Sequence, residues 1–162
     1  MKGSIIGSFR KYYQEVLAFI HKLEKAGITI LSPTKSSILD PDVDFVVFES
    51  DNPDHCNEEI QLIALHRILR SDFVYVCNPN GYIGRTTCYE IGRVVERNIP
   101  LYFSSIPVDL PIYLSNNAVM PNENFIAYYS RYKKLPEHNG SMSTTFAEKL
   151  HKDLFLGKYY DE

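Results

Sequence analysis

The sequence predicts an α/β protein with a mainly parallel sheet of about five strands and helices on both faces. Between residues 2 and 103, short apolar segments alternate with longer segments whose apolar residues recur at helical spacing. Residues 73–77 are continuously apolar, as expected of a strand that is covered on both faces. Together these observations indicate parallel strands connected by helices.

Five short apolar segments are the predicted strands. They are residues 2–8, 28–31, 45–48, 73–77 and 101–103. Turn residues bound several of them, such as Pro33 after the second strand and the Asn-Pro-Asn-Gly turn at 78–81.

Helices are predicted over residues 10–25, 58–70 and 87–97, with two more over 122–132 and 144–156. Gly27 fits the C-cap of the first helix, and Asn122 the start of the fourth. The predicted apolar side of the second helix consists of Ile60, Leu62, Ile63, Leu65, Ile68 and Leu69.

Length and composition predict one globular domain over residues 1–162. Hydrophobic residues are 44% and charged residues 23% of the chain, which excludes a mostly disordered protein. The net charge of −3 disfavours a domain built to bind a nucleic acid polymer, which is usually basic. A small anionic ligand is still compatible with this charge, because one pocket can be locally positive.

Targeting and metal-binding signals are missing from the sequence. Without an apolar leader or a run of about 18 apolar residues, we expect a cytoplasmic protein and no membrane partner. The three cysteines are odd in number and lack CxxC spacing, and the five histidines show no HxH or HxxxH pairing. We therefore expect no disulfide framework, no metal site and no cofactor.

Polar loops follow the strands that end near residues 8, 31 and 77, and they should meet at one edge of the sheet. In the first loop, Gly7 allows close backbone approach, while Ser8 and Arg10 can bind a phosphate. A plain turn with a helix cap is the simpler interpretation of these residues. In the third loop, which lacks the Walker pattern, the candidate ligand-binding residues are Asn78, Gly81, Tyr82, Gly84 and Thr86.

Glu90 is the candidate catalytic residue, because it lies early in the helix that follows this loop. A carboxylate there could attack a sugar carbon or bind sugar hydroxyls. Thr87 and Glu90 also fit a capping box, in which Glu90 would bond back to the backbone of Thr87. Position alone favours the capping alternative.

Three segments resemble the nucleoside 2-deoxyribosyltransferase-like family, which includes the 2′-deoxynucleoside 5′-phosphate N-hydrolases. They are IIGSFR at 5–10, SDFVYV at 71–76 and NPNGYIGRTTCYEIG at 78–92, of which the last is the most specific. The resemblance covers residues 2–104 and leaves 105–162 unassigned.

The resemblance implies a flavodoxin-like three-layer fold and cleavage or transfer at the bond between a deoxyribose and its base. Glu90 then stands where the family's glutamate attacks the anomeric carbon, and Gly7, Ser8 and Arg10 match its phosphate-binding loop. The implied partner is a small nucleoside or nucleotide. A homodimer or higher homo-oligomer is also implied, because neighbouring subunits in the family complete each other's pockets.

The chain departs from the family at three functional positions. Ser4 replaces a frequent tyrosine, Ala64 an aspartate that helps to protonate the leaving base, and Gly84 an acid or serine. Four side chains could take over the role of the partners that the glutamate has lost: Gln61, His66, Tyr82 and Tyr89. The retained glutamate favours an enzyme, whereas the missing aspartate favours a noncatalytic nucleotide-binding module on the same fold.

Overall fold

The computed structural model describes residues 1–39, 46–112, 114, 117–137, 150 and 153–154. Within these ranges it contains a four-stranded parallel sheet and four main helices. In chain order the elements are β1 (Lys2–Gly7), α1 (Phe9–Lys25), β2 (Thr29–Ser32), α2 (Asn57–Ile68), β3 (Phe73–Cys77), a 3-10 turn (Pro79–Gly81), α3 (Arg85–Glu96), β4 (Leu101–Phe103) and α4 (Asn122–Tyr132).

The strand order in the sheet is β2-β1-β3-β4, and every pair is parallel. The chain first moves outward from β1 to β2, and then crosses to β3 on the other side of β1. The strand order therefore reverses between β1 and β3. In open parallel sheets, the crevice outside the carboxyl ends of such neighbouring strands is where ligands bind.

Among the described residues the sheet has four strands, and the prediction of a fifth at residues 45–48 is wrong for residues 46–48. Phe48 makes only an isolated antiparallel bridge to Ile38, and Phe45 lies outside the described residues. The Phe48 ring packs against Phe9 and Tyr13 instead, at centroid distances of 5.9 and 5.5 Å. This apolar segment thus buries its side chain through an aromatic cluster rather than through a strand ladder.

Alternating side chains of the strands supply two hydrophobic cores. On one face of the sheet, Ile5 and Tyr75 pack with α1 and α4. On the other face, Ile6 and Val76 pack with α2 and α3. All five residues of β3 are buried, which confirms the expectation from its continuous apolar sequence.

The apolar side predicted for the second helix is only partly confirmed by α2. Leu65 and Ile68 are buried, but Leu62 is 61% exposed and Ile63 36%. The predicted apolar residues are distributed around more of the helix than the single stripe that can contact a sheet. Most of the predicted helix at 144–156 lies outside the described residues.

No helix in the described part of the chain is long and apolar enough to cross a membrane.

Gly7→Ala should destabilise the fold, because Gly7 is in close contact with β3. Its φ is +152°, and an added Cβ would lie 2.4 Å from the carbonyl oxygen of Cys77. We expect a loss of about 2–3 kcal/mol in the free energy of unfolding, measured by urea denaturation. The control is Gly92→Ala on α3, where a Cβ meets nothing within 4 Å. That variant should gain up to about 1 kcal/mol from helix propensity, and equal stability of the two variants would contradict the prediction.

Candidate functional site

A cavity of about 500 Å³ lies at the carboxyl ends of β1 and β2, beside the point where the strand order reverses. Its wall contains residues 5–9 at the β1–α1 junction, residues 32–34 at the end of β2, and residues 84–87 at the start of α3. One side of α2 closes it, through Gln61 and its neighbours. The structure therefore brings the three loops named from the sequence to a single pocket.

Glu90 lies in the wall of this cavity, in the second turn of α3. The helix begins at Arg85 with Gly84 as its N-cap, so Thr87 is an internal helical residue. The capping alternative for Glu90 is therefore wrong. The Glu90 carboxyl instead receives a hydrogen bond across the cavity wall, from Gln61 Nε2 of α2 to Oε1 at 3.0 Å.

Burial controls the ionisation of Glu90. The residue is 8% exposed, and burial raises the pKa of its carboxyl from the ordinary 4.5 to about 7, against the opposing effect of the Gln61 hydrogen bond. At neutral pH both protonation states are therefore populated. The ionised form can act as a nucleophile and the protonated form as an acid, which is typical of catalytic carboxyls.

The first predicted loop contributes Gly7 and Ser8 to the cavity. Ser8 is the N-cap residue of α1, yet its side chain makes no capping hydrogen bond. The hydroxyl is therefore not used to cap the helix, and Ser8 lies in the wall of a pocket to which the N-terminus of α1 also contributes. The side chain of Arg10 lies outside what the structure describes.

The loop before α3 divides into two parts. Tyr82, Gly84 and Thr86 line the cavity, whereas Asn78 and Gly81 do not. The Asn78 amide donates to the Ser105 carbonyl at 2.9 Å, and its oxygen accepts from the Ser104 hydroxyl and the Ser105 N–H, both at 3.1 Å. Asn78 thus ties the loop to the segment after β4.

Gly81 also connects this loop to the segment after β4. Its φ is +79°, and a Cβ there would lie 2.4 Å from the carbonyl oxygen of Ile106. Its own carbonyl accepts a hydrogen bond from the Val108 N–H at 3.1 Å. The glycine therefore permits the close packing that holds Tyr82 at the cavity.

Charged side chains that the sequence did not single out also line the cavity. They are Lys11, Asp51, Arg67 and Arg85. The Lys11 ammonium lies 3.9 Å from the centroid of the Tyr82 ring, so a cation–π contact joins α1 to the loop before α3. Three of these four side chains are cationic, so groups that could pair with an anionic ligand line the cavity of this acidic protein.

Helical spacing on α2 was the signal that could have located part of this wall. Gln61, Ala64 and Arg67 follow one stripe beside the buried Ile60 and Ile68. Gln61 and His66 of this helix are candidates from the sequence, whereas Arg67, on the same stripe as Gln61, is not. Which neighbouring element this stripe faces depends on the order of the strands.

Of the three positions at which the chain departs from the family it resembles, two lie in the cavity wall and one does not. Ala64 and Gly84 both line the cavity, so side chains there would face a ligand. Ser4 is fully buried outside the cavity wall, with its hydroxyl 2.7 Å from that of Ser71. Of the four possible replacements for the missing acid, Gln61 and Tyr82 line the cavity.

The other two possible replacements, His66 and Tyr89, do not belong to the cavity wall. Both are exposed, and the Tyr89 hydroxyl accepts a hydrogen bond from Arg93 at 3.1 Å. For metal binding, the described ranges contain no group of three His, Cys, Asp or Glu side chains placed to share an ion.

No protein-family model matches this sequence. Comparisons with curated proteins and with solved structures likewise find no significant match. Function is therefore inferred from the chemistry of the cavity and from the resemblance carried by residues 5–10, 71–76 and 78–92.

Proposed function

We propose that the protein cleaves the N-glycosidic bond of a nucleoside or nucleotide, releasing the base to water or exchanging it for another, with Glu90 as the nucleophile. The observation that carries this proposal is the Glu90 carboxyl, which is almost fully buried yet lines a cavity. A volume of about 500 Å³ falls within the usual range of small-molecule pockets, about 300–1,000 Å³.

In the proposed reaction, a Glu90 carboxylate oxygen attacks the anomeric carbon of the sugar. The carbon–nitrogen bond breaks, and the base leaves with the bonding electrons and takes up a proton. The resulting glycosyl ester is then attacked by water, which gives hydrolysis, or by a nitrogen of a second base, which gives transfer. The Gln61 hydrogen bond supports this role because it stabilises the ionised carboxyl.

The sugar 5′ end would lie at the β1–α1 junction. Gly7, Ser8 and the N-terminus of α1 offer backbone and hydroxyl groups to it, and Lys11 and Arg67 add positive charge. In this proposal Arg10 is also a phosphate ligand, as the resemblance implies. Within the cavity, Tyr82, Gly84 and Thr86 would contact the rest of the substrate.

The proposal extends to fold family and assembly. A parallel sheet with helices on both faces supports the flavodoxin-like three-layer fold that the resemblance implies. We also propose a homodimer or higher homo-oligomer, which the resemblance implies, and we keep the expectation from the sequence that the protein is cytoplasmic.

A noncatalytic nucleotide-binding module is the second candidate, and one observation favours it. Ala64 and Gly84 line the cavity at the two positions where the family has polar or acidic partners of the glutamate. Without those groups, protonation of the leaving base would have to depend on another residue or on water. In a binding module, Glu90 would accept hydrogen bonds from sugar hydroxyls instead.

The two candidates separate in one experiment on the full chain. Nucleosides, 2′-deoxynucleosides and their 5′-monophosphates are incubated with the protein, and free base is measured by chromatography, while the shift in melting temperature reports binding. Base release supports the enzyme. A higher melting temperature with a ligand that stays intact supports the binding module. If no compound releases base and none raises the melting temperature, both the enzyme and the binding module are overturned.

A further inference from the structure

Gln61 and Glu90 form a polar contact between α2 and α3, two helices that pack on the same face of the sheet. Gln61 is half-buried on α2, Glu90 is buried on α3, and the amide donates to Oε1 of the carboxyl at 3.0 Å. Both residues line the cavity. The contact therefore fixes the carboxyl at the point where a ligand would meet it.

The chemistry of an amide suits this position better than that of a cation. A lysine or arginine paired with Glu90 would hold it ionised but would also neutralise the charge needed for attack. A neutral N–H stabilises the carboxylate and leaves its net charge in place.

Besides Glu90, the charged groups that line the cavity come from four segments of the chain. They are Lys11 on α1, Asp51 in the turn after Phe48, Arg67 on α2 and Arg85 on α3. Burial and the Gln61 hydrogen bond are nevertheless the influences that govern Glu90 in the described structure.

We propose that Gln61 is the positioning residue of this site: it holds one oxygen of Glu90, directs the carboxyl into the cavity and favours its ionised form. Its part in catalysis rests on the proposed function. Its effect on the ionisation of Glu90 does not, and this effect can be measured in the protein without any ligand.

The test is an NMR titration of the protein carrying ¹³C-carboxyl glutamate, with the Glu90 signal identified by its loss in Glu90→Gln. In Gln61→Leu and Gln61→Met, the Glu90 midpoint should rise by about one pH unit, because the ionised form loses its donor. The matched control is Gln14→Leu, which changes an exposed glutamine of α1 and should leave the midpoint unchanged. An unchanged midpoint in the folded Gln61 variants, with or without a loss of stability, overturns the proposal.

A second measurement needs no variant at Gln61. In the unmodified protein, the side-chain amide resonances of Gln61 should shift with pH at the same midpoint as Glu90, since they report the hydrogen bond directly. If they do not titrate with Glu90, the proposal fails. Should the Gln61 variants not fold, this measurement alone decides it.

Activity gives an independent readout where base release is observed. Gln61→Leu should lower kcat by about 10–100-fold with little change in KM, and the acid limb of the pH profile should move upward with the Glu90 midpoint. A lower kcat with an unmoved acid limb would assign Gln61 a packing role and overturn the proposal. If the unmodified protein releases no base, the proposed function fails while the titrations still decide the role of Gln61.

Discussion

Replacing Glu90 with glutamine is expected to reduce base release by about 10⁴-fold or more, because the variant lacks the attacking oxygen anion. The substitution keeps the size of the side chain, and its carbonyl can still accept the hydrogen bond from Gln61. Substrate affinity should therefore change far less than turnover. Initial rates of base release, together with ligand-induced shifts in melting temperature, measure the two effects separately.

Glu96→Gln is the matched control for this prediction. Glu96 lies on the same helix, is exposed, and forms a surface ion pair with Arg93 at 3.4 Å. Exposed pairs of this kind contribute little, so both rate and stability should stay near those of the parent protein. Undiminished base release from Glu90→Gln would exclude Glu90 as the nucleophile. Loss of ligand affinity in a protein without base release would favour the binding module.

Glu90→Gln is also expected to change how stability depends on pH. The carboxyl has a pKa of about 7 when folded and an ordinary value of 4.5. Between these values the folded state keeps a proton that the unfolded state has released, so the parent protein loses stability as pH rises from about 4.5 to about 7. The loss is about 3 kcal/mol, since each pKa unit is equivalent to about 1.4 kcal/mol. Above about pH 7, the contribution of Glu90 to the free energy of unfolding no longer changes with pH.

The variant should not show this loss, because glutamine does not titrate. Its free energy of unfolding, relative to the parent, should therefore rise by about 3 kcal/mol between pH 4.5 and pH 8. Urea denaturation at a series of pH values measures the difference.

Contributions from Glu58 and Glu59, whose pKa values are lowered at the start of α2, are common to both proteins and cancel. Burial raises the pKa of Cys77 to about 12, far above this window. Parallel stability curves for the two proteins would show that Glu90 is not held in a buried, unfavourable state.

Taken together, the two expectations describe a residue that destabilises the fold at neutral pH and is required for activity. A carboxyl in such a place is better explained by function than by packing. The binding module and the enzyme would both use the ionised Glu90, so both would show these two effects of burial. The base-release assay is what separates them.

Local pattern was sufficient for most of the secondary structure. The continuous apolar run at 73–77 determined a strand that is buried on both faces. Helical spacing predicted a helix over residues 10–25, and α1 extends from Phe9 to Lys25. The alternation of these elements determined a parallel sheet with its polar loops at one edge. These features depend on neighbouring residues in the chain, and so they can be derived from the sequence.

Other features were decided by contacts between segments that are distant in the chain. Phe48 belongs to an aromatic cluster rather than a strand, because the rings of Phe9 and Tyr13 are next to it only in the folded protein. Asn78 matched a ligand-binding pattern, but its amide is bonded to residues that follow β4. No local pattern contains information about either contact.

The arrangement around Glu90 shows most clearly what the sequence determined alone and what required the fold. The sequence placed a glutamate near the start of a helix at the ligand-binding edge of a parallel sheet. Only the tertiary structure decided that α3 begins at Arg85, so that Glu90 is no cap but is buried and bonded to Gln61, 29 residues earlier in the chain. The physical reason is that burial and hydrogen bonding, which set the ionisation of this carboxyl, depend on how α2 and α3 pack on the sheet.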